Sequence, residues 1–194
     1  MILNKKITVC LLACFMFVSA TAYDVLLEVK GAAFVPTSQP FRDIYGDIGQ
    51  FGLELTAGSL LTHLYAFSSI DFLIKNGETI GLASPTKVNM IDLAVGVKYF
   101  VPFNHGDFYV GVGVQPTYLS ITNQGQGPIE PAQWNCGGVA KVGAIFNMPH
   151  SFFADIFFDY SFAKFNASTV PSSPVTTTNT NGCVFGIGFG YRFN

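Results

Sequence analysis

Large apolar residues alternate with small or polar ones along much of the chain, most clearly in its last segment. Successive side chains of a β-strand point to opposite faces, so strict alternation predicts a strand with one apolar face. The other face of this segment holds three glycines and one arginine, which is too little polar surface to face water. A strand of this kind that ends in an aromatic residue is typical of a transmembrane barrel. The alternating apolar residues are Phe185, Ile187, Phe189, Tyr191 and Phe193.

Eight segments alternate in this way and predict eight strands. A strand tilted at about 45° needs about 9–11 residues to cross a bilayer, and most of the segments are at least that long. The prediction is an all-β fold, an eight-stranded antiparallel up-and-down transmembrane β-barrel. The segments are Asp24–Val35, Gln50–Ala57, Leu64–Lys75, Val88–Phe100, Asp107–Ile121, Trp134–Phe146, Phe152–Phe165 and Cys183–Phe193.

The connections between these segments alternate in length. The long ones are rich in Pro, Gly, Ser, Thr and Asn, the residues of turns and loops. Short turns at one end and long loops at the other predict a periplasmic and an extracellular side, respectively. The short connections are Gly58–His63, Val101–Gly106 and Asn147–Ser151, and the long ones are Pro36–Gly49, Asn76–Lys87, Thr122–Gln133 and Asn166–Gly182.

Composition supports a membrane barrel. Charged residues make up 11% of the 194 residues and aromatic residues 15%, whereas soluble globular chains are about 25% charged. Beyond the N-terminal region, glycine or charge interrupts every apolar run before it reaches the ~20 residues of a membrane-spanning helix. Lipid tolerates no unpaired backbone, so a closed barrel remains. The formal net charge of -2 does not predict a nucleic-acid partner.

The N-terminal segment has the three parts of a secretory signal peptide. They are a basic pair at 5–6, an apolar run at 7–18 and an Ala-x-Ala motif at 20–22. We therefore predict that Met1–Ala22 is a signal peptide and that Tyr23–Asn194 forms the barrel domain.

The cysteines leave two alternatives open. Cys14 ends a lipobox-like Leu-Leu-Ala-Cys motif, which would make it the start of a lipidated mature chain. Cys136 and Cys183 would meet an oxidising compartment, where a disulfide can form. They fall on the sixth and eighth predicted strands, about 10 Å apart and beyond disulfide reach. The interpretation favoured is two separate thiols.

Three features indicate that the apolar face points outward to lipid, rather than inward as in a soluble lipocalin-like barrel. The apolar face is large and continuous, the opposite face is rich in glycine, and aromatic residues crowd the strand ends, as in interfacial girdles. Val95 is then expected to face lipid and Gly96 the lumen, where a small polar group can find water or a partner. Val95→Arg should therefore disturb insertion far more than Gly96→Ser. The expected girdle residues are Tyr99, Phe100, Phe103, Phe108, Trp134, Phe146, Phe152 and Tyr191.

Most strand charges then point into the lumen, which eight strands make just wide enough for side chains to fill. Buried charges must pair or bind water. Any one of these residues could act as a catalytic acid or base, but the interpretation favoured is a salt-bridged plug. The predicted charge network is Glu28, Lys30, Glu54, Asp71, Asp92, Lys98, Lys141, Asp155, Asp159 and Arg192.

A group of inward apolar residues is expected above the charged layer, towards the long loops. It could line a small apolar pocket, or it could merely seal the top of the barrel. The residues are Phe34, Leu73, Met90, Leu119, Ile121 and Phe165.

The stretch Tyr23–Asn194 resembles the small eight-stranded outer-membrane barrels of the OmpA, OmpX and OmpW type. The terminal Gly188-Phe-Gly-Tyr-Arg-Phe193 and the alternation of short turns with long loops carry the resemblance. The segments Phe34-Val-Pro-Thr-Ser and Phe41-Arg-Asp-Ile-Tyr-Gly46 are similar to a first-loop segment of chlamydial-type outer-membrane proteins. The resemblance implies the outer membrane of a Gram-negative-type bacterium, contact with its lipids, and Phe193 as a signal to the barrel assembly machinery. Here Asn194 follows that aromatic residue.

The sequence predicts no enzyme, no cofactor and no metal site. Some eight-stranded barrels resemble lipid A acylases or deacylases, which need a histidine near the outer leaflet. His63, His105 and His150 instead fall in the short turns, on the periplasmic side. Two functions from different classes remain. One is a scaffold whose loops contact another surface, as in adhesion or host contact, and the other is a narrow conduit for small, apolar solutes, as in an OmpW-like porin.

Overall fold

The structure of the protein is a computed structural model. It describes residues 24–59, 63–78, 85–123, 127–128, 133–162, 164–166, 177–179 and 181–193. The predicted signal peptide Met1–Ala22 lies outside the described residues, as does Asn194.

Eight long strands close into one antiparallel barrel. Each pairs with the next along the chain, and the last pairs with the first, so the sheet has no free edge. The prediction of an eight-stranded up-and-down β-barrel is thus confirmed. The strands are β1 (Asp24–Pro36), β2 (Ile48–Ser59), β3 (Leu64–Glu78), β4 (Pro85–Phe103), β5 (Gly106–Asn123), β6 (Gln133–Asn147), β7 (Phe152–Phe162) and β8 (Gly182–Phe193).

Strands β3 and β4 extend beyond their predicted ends, whereas β7 is shorter than predicted. β7 ends at Phe162, whereas alternation predicted a strand to Phe165. The segment Lys164–Asn166 pairs with Thr177–Asn179 in a small separate sheet. The alternating pattern continues beyond Phe162 because Lys164–Asn166 is itself a strand, although it belongs to this small sheet and not to the barrel. A two-residue strand, Gly127–Pro128, pairs antiparallel with the end of β5.

The first long connection contains a short helix, α1 (Gln39–Tyr45). Tyr45 is buried and joins the apolar cluster beneath it. Gly46 ends the helix with φ 62° and ψ -152°, a conformation that only glycine adopts readily. Among the described residues, no helix is long and apolar enough to cross a membrane.

The outer face of the barrel is apolar along the strands. Ile187 is 68% exposed and Val29 61%, as expected for side chains that meet lipid rather than water. Aromatic rings pack against one another near the short turns: Phe103 lies 4.6 Å from Phe108 and Tyr191 lies 4.8 Å from Phe193, between ring centroids.

Phe100 is a correction to the predicted girdle. Its side chain is only 3% exposed, and its ring packs inside the lumen, 4.5 Å from that of Tyr65 and 5.6 Å from that of Tyr109. Tyr99 points outward, so alternation sends its neighbour inward. An aromatic residue at a strand end belongs to the girdle only when its register position faces lipid.

The cysteines and histidines lie where the sequence placed them. Cys136 and Cys183 are both free thiols in this structure, Cys136 exposed and Cys183 half-buried. His63, His105 and His150 occupy the three short connections. They lie at the end of the barrel that is opposite the long loops.

Candidate functional site in the lumen

The charged residues predicted to point inward stand on the lumen face of their strands. Asp71 and Arg192 are half-buried and the others are buried. Two further acids, Asp24 and Asp107, are buried as well. Sequence reasoning missed this pair because they stood at the first position of predicted strands, where facing is least certain. Their inward register was the available signal.

Glu54 of β2 is the centre of the charge cluster. Its Oε2 atom accepts hydrogen bonds from the Nζ atoms of Lys30 on β1 and Lys141 on β6, each over 3.1 Å. Lys98 of β4 donates to its other oxygen, Oε1. Strands β2 and β6 lie opposite each other in a barrel of eight, so the contact with Lys141 crosses the lumen.

Asp159 of β7 completes this central cluster, which we define as Lys30, Glu54, Lys98, Lys141 and Asp159. Its Oδ2 atom lies 2.7 Å from Nζ of Lys141 and 3.6 Å from Nζ of Lys30. Each lysine therefore has at least one carboxylate partner. Buried charges require such pairing, because taking an ion out of water costs several kcal/mol.

Aromatic rings fill the space around the central cluster. The ammonium of Lys30 lies 4.0 Å from the ring centroid of Phe157, and that of Lys98 lies 4.1 Å from the ring centroid of Tyr109. Phe67 lies beneath Lys141, with 5.2 Å between Nζ and the centroid. Strands β1 to β7 all contribute a side chain to this layer. Sequence reasoning missed the rings, although they share the inward register of the charges.

A second group of polar contacts ties the strands together near the short turns. Arg192 of β8 donates to Asp107 of β5 over 2.9 Å, and its Nε lies 3.6 Å from an Asp24 oxygen. The hydroxyl of Tyr65 donates to the other oxygen of Asp24 over 2.8 Å. These contacts link β1, β3, β5 and β8 across the periplasmic end of the barrel.

Four acids of the predicted network have no ion pair among the described side chains: Glu28, Asp71, Asp92 and Asp155. Tyr109 donates its hydroxyl to Asp155 over 2.8 Å. Glu28 lies against Gly188 of β8, where a Cβ atom would fall 1.7 Å from its Oε1 atom. The structure thus places all ten predicted charges in one lumen but divides them into a paired and an unpaired set.

The expected apolar group forms part of one buried cluster. Phe34, Leu73, Met90 and Leu119 are each at most 5% exposed, and Tyr45 of α1 joins them from above. The side chains of the other two predicted members, Ile121 and Phe165, lie outside the described residues, and Phe165 belongs to the separate hairpin rather than to a barrel strand.

Gly96 is a second correction. It pairs with Gly113 of β5, and the ring of Phe67 lies against both glycines. A Cβ atom at Gly96 would fall 2.1 Å from the carbonyl oxygen of Val112 and 2.7 Å from the Phe67 ring. The expectation that a small polar group at 96 finds water or a partner in the lumen is therefore wrong, because ring and backbone atoms already occupy that space. The glycine makes room for an aromatic ring, not for water.

We expect Gly96→Ala to lower the free energy of unfolding by about 1–3 kcal/mol, the usual cost of overpacking a filled interior. Gly31→Ala is the matched control, since Gly31 faces lipid and has no atom within 4 Å of an added Cβ. Its effect should stay within about 0.5 kcal/mol. Urea unfolding of the two variants in lipid vesicles measures both, and equal losses would contradict the packing of Phe67 described above.

Among the described side chains, no group of three or more His, Cys, Asp or Glu residues could hold a metal ion. The three histidines stand in the short turns, at the end of the barrel opposite the long loops.

A family model described as the outer membrane protein β-barrel domain matches residues 10–193. The chain belongs to this family. As a member, it resides in the outer membrane of a Gram-negative-type bacterium, in contact with the lipids there. A comparison with curated proteins found no match.

Solved structures of outer-membrane barrels share this fold. Ail, the attachment invasion locus protein of Yersinia pestis, is 13% identical with a TM-score of 0.55, over 88% of this chain and 98% of that one. The N-terminal barrel of Pseudomonas aeruginosa OprF is 11% identical with a TM-score of 0.54, over 89% and 98%. Escherichia coli outer membrane protein W is 14% identical with a TM-score of 0.52, over 89% and 98%. At this level of identity the likeness shows the fold alone.

Proposed function

We propose that this outer-membrane barrel is a non-enzymatic scaffold whose long loops contact another surface, such as that of a host cell. The contact between Glu54 and Lys141 across the lumen carries the proposal. An interior of eight strands has little room beyond its own side chains. When the interior is occupied, the loops are the part of the barrel left to carry activity.

The open-porin alternative has a direct test. We expect the purified protein to give no large, steady single-channel currents in planar bilayers, because charged side chains and rings fill the central layer. A wide porin measured in the same bilayers is the positive control. Large, steady currents would contradict the closed lumen.

The charge of the long connections bears on the kind of partner. Together they carry two basic and four acidic residues, so a polyanion would meet net repulsion. Ail was solved in complex with the heparin analogue sucrose octasulfate. We expect this protein, in contrast, not to be retained on immobilised heparin at physiological salt, with Ail as the positive control. Salt-sensitive retention would point to a polyanionic partner instead.

Loop trimming tests the scaffold proposal itself. Bacteria that display the barrel should bind host-cell monolayers, and shortening the four long connections should abolish this binding. The trimmed barrel should still migrate differently in boiled and unboiled gel samples, since closed barrels resist unheated detergent. A variant trimmed only at Ala167–Thr180 measures how much of the host-cell binding depends on the last loop. Undiminished binding after all four are shortened would refute the proposal.

A narrow conduit for small apolar solutes is the second candidate. The buried cluster above the charged layer, with Leu73, Met90 and Leu119, favours it because these side chains could repack around an apolar molecule. Uptake of such a solute into proteoliposomes, reduced by Leu119→Trp, would support the conduit. No uptake above that of protein-free vesicles would exclude it.

Phe193 is proposed as the signal that the barrel assembly machinery reads. Its side chain is 51% exposed at the end of β8, as an accessible signal requires. We expect Phe193→Ala to reduce the amount of assembled barrel in the outer membrane.

A further inference from the structure

Two acids in the upper lumen have no cationic partner. Asp71 of β3 and Asp92 of β4 are direct register partners on the lumen face. Asp92 accepts a hydrogen bond from Thr117 over 2.6 Å, and Asp71 accepts one from Ser69 over 3.2 Å. Among the described residues, neither carboxylate forms an ion pair. Like charges on paired inward positions repel in a low-dielectric interior, so a cation between these strands would stabilise both carboxylates.

Two amide side chains flank the acids. Gln50 on β2 is 9% exposed and Gln115 on β5 is 6% exposed, and the Oε1 atom of each has no hydrogen-bond partner. On β2, Gly52 is the register partner of Asp71, and Gln50 is the next inward-facing residue of that strand. On β5, Thr117 is the register partner of Asp92, and Gln115 is the next inward-facing residue of that strand. A buried oxygen left without a partner costs about 1–3 kcal/mol.

The residues around the two acids leave space for the carboxylates and shield them from water. A Cβ atom at Gly52 would fall 2.0 Å from Oδ1 of Asp71, so this glycine makes room for the carboxylate to lean towards β2. Leu73 and Met90 occupy the next inward positions above the acids and are buried. The register thus places two carboxylates and two buried amide side chains on four consecutive strands, with Leu73 and Met90 next to the acids.

We propose that the upper lumen binds one Ca²⁺ ion through the carboxylates of Asp71 and Asp92 and the amide oxygens of Gln50 and Gln115. Ca²⁺ takes 6–8 oxygen ligands in flexible geometry, with water completing the shell, whereas Mg²⁺ demands a strict octahedron and gives up its water reluctantly. The ion neutralises the acids and occupies the unpartnered oxygens. Bound there, it ties β2, β3, β4 and β5 together. An affinity of about 10⁻⁴–10⁻³ M is expected, as in other extracellular calcium modules.

Equilibrium dialysis with radioactive Ca²⁺ on the chelator-treated barrel in detergent micelles tests the site. The wild-type protein should bind one ion, with Mg²⁺ competing weakly. The double variant Asp71→Asn/Asp92→Asn should lose saturable binding while keeping its heat-modifiable migration. The matched control Asp43→Asn/Asp47→Asn removes two exposed carboxylates near α1 and should bind as the wild type does.

Three results would overturn the proposal: no saturable binding by the wild type, binding that survives in Asp71→Asn/Asp92→Asn, or an equal loss in the control. If the aspartate variant is not recovered as a folded barrel, the double variant Gln50→Leu/Gln115→Leu tests the proposed Ca²⁺ site instead. It keeps both carboxylates and removes two unpartnered buried oxygens. Its affinity should fall at least ~10-fold, the smallest usual cost of disturbing a metal site, and unchanged affinity would refute the amide ligands.

Discussion

Glu54→Gln is expected to destabilise the barrel by about 3–5 kcal/mol, the cost of removing one partner from a buried ion pair. The change leaves Lys98 without its carboxylate and leaves Lys30 and Lys141 to share Asp159. Uncompensated ammonium groups in a filled lumen must then draw in water or move. Urea unfolding in lipid vesicles, followed by the gel shift between folded and unfolded protein, measures the loss.

Glu28→Gln is the matched control for this experiment. Glu28 is the register partner of Glu54 on β1, and it is buried to a similar degree. It forms no ion pair among the described side chains, and its Oε1 atom lacks a hydrogen-bond partner. Replacing it should therefore change the stability by less than about 1 kcal/mol. Similar losses in the two variants would show that burial alone, and not the cluster of lysines, decides the effect of Glu54.

Val95→Arg is expected to cost about 2–4 kcal/mol, because Val95 stands on the lipid face near the middle of β4 and a cation there meets hydrocarbon. Val101→Arg makes the same change on the same face of the same strand, near the periplasmic turn. Val101 is 50% exposed, and Arg at that depth should cost only about 0–1 kcal/mol. The yield of folded barrel in vesicles and the free energy of unfolding measure both. Equal costs would contradict the depth assigned to β4.

Much of the architecture could be predicted because the sequence of a single strand shows which of its side chains share a face of the sheet. The alternation in β8 or β5 is visible without knowing their neighbours, and closing the sheet follows from the need to pair every backbone group in lipid. The prediction was wrong where a local pattern has two structural meanings. The alternation to Phe165 continued into a hairpin of the loop, and the aromatic Phe100 faced inward.

The lumen contacts depend on residues far apart in the chain. Lys141 reaches Glu54 across 87 residues of sequence, and Arg192 reaches Asp107 across 85. No local periodicity encodes which inward side chains stand at the same height on opposite strands, since barrel closure and strand stagger set that height. The same holds for Gly96, which alternation marked as lumen-facing but could not show to lie under the ring of Phe67.

The sequence alone determined the fold and the strand number, because alternation follows from the period of two in a strand. It also determined the lipid face and the inward position of the charges, because the face opposite the apolar one is rich in glycine and aromatic residues crowd the strand ends. Only the tertiary structure decided that the central acid Glu54 is paired while its neighbour Glu28 is not. It also decided that Asp71 and Asp92 are register partners without an ion pair, and that the buried Gln50 and Gln115 each keep an amide oxygen without a hydrogen-bond partner. These distinctions depend on distances across a closed lumen, and such distances exist only once all eight strands have met.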